Sequence, residues 1–234
     1  NRQSFVGLKK NGTGQFTLGV QNTMAFQALA ATDVGQTNNM VGSAVYPQQE
    51  PNGNGNPGVA GFAGSDGTSG TSNALTVRTS NTLQAQSDKF AGFSLGAMYV
   101  QNGTNDTQVT TAAATTGGSN NFSGWGLSAD YTWQKLYATA AYSSMKQEQT
   151  NTSLAPVATL PGTASTGATN VNTTDNSWLL GATYDFGILK AYAQWVGRKV
   201  QDDVNTSATS NNTGEQLNRT AQQIGVRSYI TPTI

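Results

Sequence analysis

The feature that most constrains this chain is a strict alternation of side-chain character, seen best in GWGLSADYTW at residues 124–133. The odd positions of that segment are Trp, Leu, Ala, Tyr and Trp, and the even positions are Gly, Gly, Ser, Asp and Thr. A period of two residues is typical of a β-strand with one apolar face and one small or polar face. The rest of the chain is rich in Asn, Thr, Ser and Gly, so it offers little core for such apolar faces to bury into.

Alternating segments recur along the chain. Together they predict about nine antiparallel strands of roughly ten residues, the length that a tilted membrane-spanning strand needs. No apolar run approaches the roughly 18 residues that a membrane helix needs. The clear strands are predicted at 90–100, 124–133, 135–143, 177–186, 189–196 and 223–230, and the weaker ones at 2–9, 15–21 and 75–87.

The connections between these segments alternate in length, which predicts an up-and-down sheet with two unlike ends. Outer-membrane barrels are built in this way, with short periplasmic turns and long external loops. A soluble β-sandwich also alternates along its strands, but it has less reason for such regular asymmetry. Short links are predicted at 10–14, 87–89, 134–135 and 187–188, and long links at 22–74, 101–121, 146–176 and 199–217.

The positions of the aromatic residues favour the membrane barrel over the sandwich. Trp125 and Trp133 share a face eight residues apart, and so do Trp178 and Phe186. On a strand tilted by about 40° this spacing rises about 20 Å, close to the height of the apolar band between the two aromatic girdles of a barrel. A soluble core would place its largest aromatics centrally. The predicted lipid-facing girdle is Trp125, Trp133, Trp178, Phe186, Trp195 and Tyr142.

Composition excludes several classes of site. The chain has no Cys and no His, which removes Ser-His-Asp and Cys-His nucleophilic catalysis and zinc sites built on thiolate or imidazole. Lys+Arg and Asp+Glu both number 12, so the net charge gives no indication of a nucleic-acid partner. No cofactor is expected, apart from a candidate Ca²⁺ site at the paired carboxylates of Asp202 and Asp203 in an external loop.

Four separated stretches carry a resemblance to a known family. They are NRQSFVGLKKNGTGQFTLG at 1–19, VRTSNTLQAQSDKFAGFSLGAMY at 77–99, GATYDFGILKAYAQW at 181–195 and QQIGVRSYI at 222–230. In this order they resemble the trimeric general porins of the Gram-negative outer membrane, most closely those of β-proteobacteria. The resemblance implies an all-β fold, a transmembrane antiparallel up-and-down β-barrel of about sixteen strands. With about nine strands predicted, the chain is expected to be a fragment that lacks the first and last strands.

The resemblance also implies that residues 1–234 form a single, partial barrel domain, with 22–74 as its inward-folded constriction loop. The beginning of this loop, NTMAFQALAATDVGQ, is unusually apolar. Asp33 is its first carboxylate and therefore the candidate for the acidic side of the constriction. The apolar residues predicted to pack against the barrel wall are Met24, Phe26, Ala28 and Leu29.

Charged side chains on the inward face bias which ions cross a water-filled channel. Arg78 matches a position where the resembled porins place one arginine of a basic cluster that faces the constriction. Another arginine of that cluster usually follows the glycine that ends the FTLG stretch, but here that position is Val20. Several of the inward charges lie near short turns and are predicted to ring the periplasmic mouth. No catalytic or metal-binding residue is predicted, and the pore-lining set is Arg78, Arg227, Lys9, Asp33, Lys190, Lys135, Asp130 and Asp185.

The function that the resemblance implies is passive diffusion of ions and small hydrophilic solutes across the Gram-negative outer membrane. Its partners would be outer-membrane lipid and lipopolysaccharide, and two further copies in a homotrimer. The basic excess of the inward set adds a weak anion preference, and no reaction is catalysed. Two alternatives stay open: a substrate-selective channel, for instance for sugars, with Tyr137, Tyr192 and Tyr229 as a stacking path, and a secreted adhesin-like β protein.

Overall fold

The computed structural model describes residues 3–35, 78–110, 115–149, 172–203 and 216–228. These residues form one antiparallel sheet of nine strands in chain order, so that each strand pairs with the next. The predicted up-and-down topology is therefore confirmed. The elements are β1 (Ser4–Lys10), β2 (Gly14–Asn22), α1 (Met24–Thr32), β3 (Arg78–Ser87), β4 (Phe93–Thr110), β5 (Thr115–Trp133), β6 (Leu136–Gln149), β7 (Asn172–Asp185), β8 (Leu189–Asp203) and β9 (Gln216–Ser228).

The sheet is open in the described part of the chain, where β1 and β9 form its two edges. No helix within the described ranges is long and apolar enough to cross a membrane. The short turns lie between β1 and β2, β3 and β4, β5 and β6, and β7 and β8, as predicted, so they share one end of the sheet.

One predicted link was largely wrong. Residues 101–121 were expected to form a long loop, but β4 continues to Thr110 and β5 begins at Thr115. The two strands stay paired through this region, for example between Asn102 and Phe122. The pairing uses backbone hydrogen bonds, which do not require an apolar side chain on either strand. The strands therefore continue beyond the point where the apolar alternation ends. At that point the surroundings of the side chains change, but the backbone pairing does not.

The register brings apolar residues of neighbouring strands side by side on one face of the sheet, here called the outer face. Tyr99 pairs with Trp125, and Tyr142 pairs with Trp178. Between these rings and the short turns, the outer face carries smaller apolar residues such as Ala129 and Ala140, which also pair with each other. Large apolar side chains on this face, including Leu127 and Trp133, are exposed to the surroundings.

The opposite, inner face carries α1. The segment is rich in Ala, Leu, Met and Gln, which have high helix propensity, and Thr23 caps it by accepting a hydrogen bond from the backbone N–H of Phe26 at 3.1 Å. The sequence predicted the packing of this segment against the wall but not its helical form. Met24, Ala28 and Leu29 are buried, and Phe26 is partly buried. Residues of α1 share an apolar cluster with Ala141, Leu179 and Val196 of the sheet.

Candidate pore-lining site

Glycines of the inner face leave the space that α1 occupies. A Cβ added at Gly96 would lie 2.9 Å from Sδ of Met24, and one added at Gly181 would lie 2.9 Å from Cβ of Thr32. At distances below 3 Å the contacted atom must move. Met24 can do so by rotating its flexible side chain, whereas Thr32 is buried and β-branched. Gly181 therefore accepts no side chain while α1 stays in place. At both positions the small inward residue therefore faces a helix of the same chain.

The even positions of the alternating segment 124–133 also contact protein side chains. A Cβ at Gly124 would collide with Sδ of Met145, and one at Gly126 would lie 3.0 Å from Cγ of Met98. Ser128 Oγ lies 3.5 Å from Sδ of Met24. These small residues therefore accommodate methionine side chains from β4, β6 and α1, which buries apolar volume on the inner face.

The C-terminal end of α1 is held by polar side chains of β8 and β9. Gln194 donates hydrogen bonds from Nε2 to the carbonyl oxygen of Leu29 at 3.0 Å and to Thr32 Oγ1 at 2.9 Å. Gln223 donates from Nε2 to Asp33 Oδ1 at 3.0 Å. The same Asp33 oxygen accepts the backbone N–H of Gly35 at 3.0 Å. Asp33 is buried, so its carboxylate is tied to the wall at the end of α1, and its role as the acidic side of a constriction stays a prediction.

Two of the predicted acidic residues lie near the short-turn end. Asp130 is half-buried and accepts hydrogen bonds from the Tyr137 hydroxyl at 2.8 Å and from Ser94 Oγ at 3.5 Å. Asp185 accepts the backbone N–H of Gly187 at 2.7 Å, which closes the turn between β7 and β8. Gly187 has a φ of +94°, a conformation that favours glycine. Both carboxylates therefore have local structural roles as well as inward positions.

The predicted basic residues are more open. Lys9, Lys135 and Arg227 are exposed, and Lys190 is half-buried. In the strand register, Lys190 lies opposite Asp185 of β7 and opposite Arg227 of β9. Its ammonium lies 5.3 Å from the ring centroid of Tyr192, within the range of a cation–π interaction.

Arg78 begins β3 and pairs through its backbone with Asn22, but its side chain lies outside the described residues. The same holds for Asp202 and Asp203 at the end of β8. Within the part of the chain that the structure describes, no group of three or more acidic side chains is placed to hold a metal ion. The Ca²⁺ site at Asp202 and Asp203 stays a prediction.

Sequence reasoning missed a buried ion pair on the inner face. Arg198 donates from Nε and Nη2 to the carboxylate of Asp175, at distances between 2.7 and 3.1 Å. Their side chains are only 8% and 3% exposed. The alternation of Lys190, Tyr192, Gln194 and Val196 continues to Arg198, and extending it by one step would have found this residue. Asp175 was hidden because it fell in the predicted link 146–176.

The outer aromatic residues lie at two levels. Trp125 contacts Tyr142 with ring centroids 5.3 Å apart, and Trp178 meets Trp195 edge to face at 4.9 Å. Trp133 and Phe186 lie next to the short turns and are exposed. This outward, two-level arrangement is the geometry that the predicted girdle requires.

Comparison with known proteins gives the family. The model of the Gram-negative porin family matches residues 1–226. A loop-deletion mutant of OmpT, an outer membrane protein of Vibrio cholerae, is a similar solved structure at 15% identity, covering 98% of this chain and 70% of that one, with a TM-score of 0.49. An anion-selective porin from Comamonas acidovorans is similar at 15% identity, covering 97% of this chain and 77% of that one, with a TM-score of 0.34. No curated protein sequence matches the chain.

The family match carries the conclusion, since the two structural similarities are too low to support an argument about function. It spans nearly the whole chain and agrees with the up-and-down sheet and its exposed apolar outer face. It places the protein in the bacterial outer membrane as a channel, in contact with lipid, and favours that function over an adhesin or an enzyme. The chain belongs to the Gram-negative porin family.

Proposed function

We propose that the protein is a passive diffusion channel for ions and small hydrophilic solutes, with a weak preference for anions and with no reaction catalysed. The observation that supports the preference is a difference in exposure among the inward charges. The basic residues Lys9, Lys135 and Arg227 are exposed, whereas Asp33 is buried. The carboxylate of Asp175 is also buried, and Arg198 neutralises it. Exposed charges act on a passing ion more strongly than carboxylates already bonded inside the wall, so the field in the lumen is biased toward anions.

The segment 22–74 supplies the constriction in this proposal. Its described beginning, α1, lies on the inner face, as the proposal requires. The basic side of the constriction includes Arg78, and the carboxylate of Asp33 lies at the end of α1. The passage of solutes needs no cofactor, and the functional assembly is a homotrimer in outer-membrane lipid and lipopolysaccharide. The aromatic girdle residues hold each barrel at its depth in the membrane.

A sugar-selective channel has less support from the described residues. Its stacking path needs open tyrosine rings, but Tyr192 is only 7% exposed and Tyr137 is half-buried and bonded to Asp130. Tyr229, the third residue of that path, lies outside the described residues. Saturable block of the conductance by one sugar would nevertheless favour the selective channel over the passive one.

The anion preference is tested by the reversal potential of the purified protein in a planar bilayer under a KCl gradient. We expect a modest anion preference that is reduced in the Lys9→Glu variant, because Lys9 faces inward. Lys10→Glu is the matched control, since it makes the same charge change at the next residue, on the opposite face of β1. Marked cation selectivity of the unchanged protein, or equal shifts in the two variants, would contradict the proposal. Cross-linking in native membranes tests the trimer.

A further inference from the structure

The end of α1 is held at three neighbouring positions on the inner face. Gly181 and Gln194 pair directly across β7 and β8, and Gln194 pairs with Gln223 across β8 and β9. These three residues therefore lie side by side across β7, β8 and β9. Gly181 leaves a gap, the two glutamines provide side-chain amides, and all three contact the segment 29–33. The contacts are of different kinds, but they all act on the same turn of the helix.

The gap at Gly181 is filled by α1. A Cβ at this position would meet Oγ1, Cβ and Cγ2 of Thr32, the last two at 2.9 Å. Thr32 is buried and donates its own hydroxyl to the carbonyl oxygen of Ala28 at 3.0 Å. A side chain at position 181 cannot be accommodated by rotating a flexible group away, so it must push the helix from the wall.

Gln194 supplies the directional part of the attachment. Its two hydrogen bonds reach the carbonyl oxygen of Leu29 and the Thr32 hydroxyl, and carbonyl groups in the last turn of a helix need such partners. Gln194 is buried, and its Oε1 has no hydrogen-bond partner among the residues that the structure describes. Burying this amide oxygen has an energetic cost, so the favourable contribution of Gln194 comes from the two hydrogen bonds of its NH₂ group.

We propose that Gly181 and Gln194 are positioning residues that hold α1 against the channel wall and thereby set the width left open to solutes. The inference rests on the proposed function. Because α1 lies on the inner face, a larger side chain at position 181 moves the helix away from the wall and toward the channel axis. Loss of the Gln194 hydrogen bonds has a different effect, because it frees the last turn of the helix to fluctuate.

The first test compares Gly181→Val with Gly124→Val by single-channel conductance and by uptake of a graded series of uncharged sugars into liposomes. Both positions are inner-face strand glycines, but the atoms nearest to a Cβ at Gly124 belong to Ser144 and Met145 of β6 and not to α1. We expect Gly181→Val to lower conductance about twofold and to lower the sugar size limit, because ion flow follows the open cross-section. We expect Gly124→Val to change neither. Equal conductance of the two variants would overturn the inference.

The second test does not depend on the folding of Gly181→Val. Gln194→Leu keeps the side-chain size and removes the donor, so we expect broader fluctuations of the open-channel current. In the same variant, Val34→Cys with Gly225→Cys adds the only two thiols, since the chain has no cysteine. The added Cβ at Gly225 lies 3.0 Å from Cβ of Val34, about 0.5 Å below the shortest Cβ–Cβ distances in disulfides, so a small shift of residue 34 away from residue 225 allows the bond.

Oxidation of this variant forms the disulfide and should restore the narrow current distribution. Reduction of the disulfide should broaden the distribution again. Currents that do not respond to the redox state would overturn the inference. A protein without any channel activity before substitution would instead refute the proposed function. The two failures are therefore distinguishable.

Discussion

The two faces of the sheet have the same alternation but different partners. On the outer face, large side chains such as Trp125 and Leu127 are exposed and meet lipid. On the inner face, the glycines that alternate with them accommodate Met98, Met145 and residues of α1. The comparison shows that a small residue opposite an apolar face has two possible explanations, contact with water and contact with a packed segment.

The difference has an energetic consequence. A cavity made on the outer face can be filled by a lipid chain, whereas one made under α1 stays empty unless the helix moves. Similarly, a charge on the inner face can be satisfied by a protein partner, as Arg198 is by Asp175, whereas the centre of the outer face offers none. Four substitutions test this difference, in order of decreasing expected effect.

The largest effect is expected for Arg198→Met. It leaves the buried Asp175 carboxylate without its bidentate partner, and breaking a buried pair costs about 3–5 kcal/mol of unfolding free energy. Urea or guanidinium unfolding in lipid vesicles measures the loss. The double variant Arg198→Met/Asp175→Leu should recover most of it, and a single variant as stable as the unchanged protein would contradict the role of the pair.

Leu29→Ala should come next. Leu29 is fully buried between α1 and the sheet, so its truncation removes apolar contact and leaves a cavity, at a cost of about 2–5 kcal/mol. Leu180→Ala is the matched change on the outer face, where the side chain is 47% exposed. It should cost roughly 2 kcal/mol or less, because lipid fills the space. Equal losses in vesicle unfolding would show that the two faces do not differ in this way.

A charge at the centre of the outer face should cost slightly less. Ala129 lies midway between Trp125 and Trp133, and Ala129→Lys is expected to lower the unfolding free energy by about 2–4 kcal/mol. Ala129→Leu adds bulk without charge at the same position and should be nearly neutral. If both variants unfold at the same denaturant concentration, this face does not lie in the hydrocarbon region.

The smallest effect is expected at Gly197, where the Trp178 ring covers the backbone on the outer face. A Cβ at this position would collide with that ring, so Gly197→Ala should displace it from its edge-to-face contact with Trp195. Overpacking of this kind costs about 1–3 kcal/mol. Tryptophan fluorescence and unfolding measure the effect. In a Trp178→Ala background, Gly197→Ala should not lower the unfolding free energy. If it still lowers the unfolding free energy there, the cost arises in the strand itself and not in the contact with Trp178.

Much of the sheet could be predicted from the sequence because its pattern is local. A period of two identifies the outer face of segments such as 124–133 without knowledge of any partner, since lipid contact depends only on side-chain type. The short turns followed from the same pattern. The limits of β4 and β5 could not be found in this way, because the parts far from the short turns are held by backbone pairing between polar residues such as Gln101 and Ser123.

The candidate site was predictable only in part. The alternation of side chains along a strand predicts that Lys190 and Asp130 face inward. Extended by one step, it would have predicted the same for Arg198. This alternation does not reveal burial, however. Asp33 was a candidate only as the first carboxylate of the predicted loop, and nothing in the sequence indicated that Gln223 binds it. It also did not single out Gln194, whose partner Leu29 is 165 positions away in the chain.

The sequence by itself therefore determined which segments form strands, where the short turns lie, and which face meets lipid. Each of these depends on neighbouring residues and on a solvent that needs no specific geometry. Only the tertiary structure decided that α1 lies on the inner face, that Gly181 makes room for Thr32, and that Asp175 neutralises Arg198. These contacts join distant segments, and they form only when pairing of the strands brings complementary shapes and charges together.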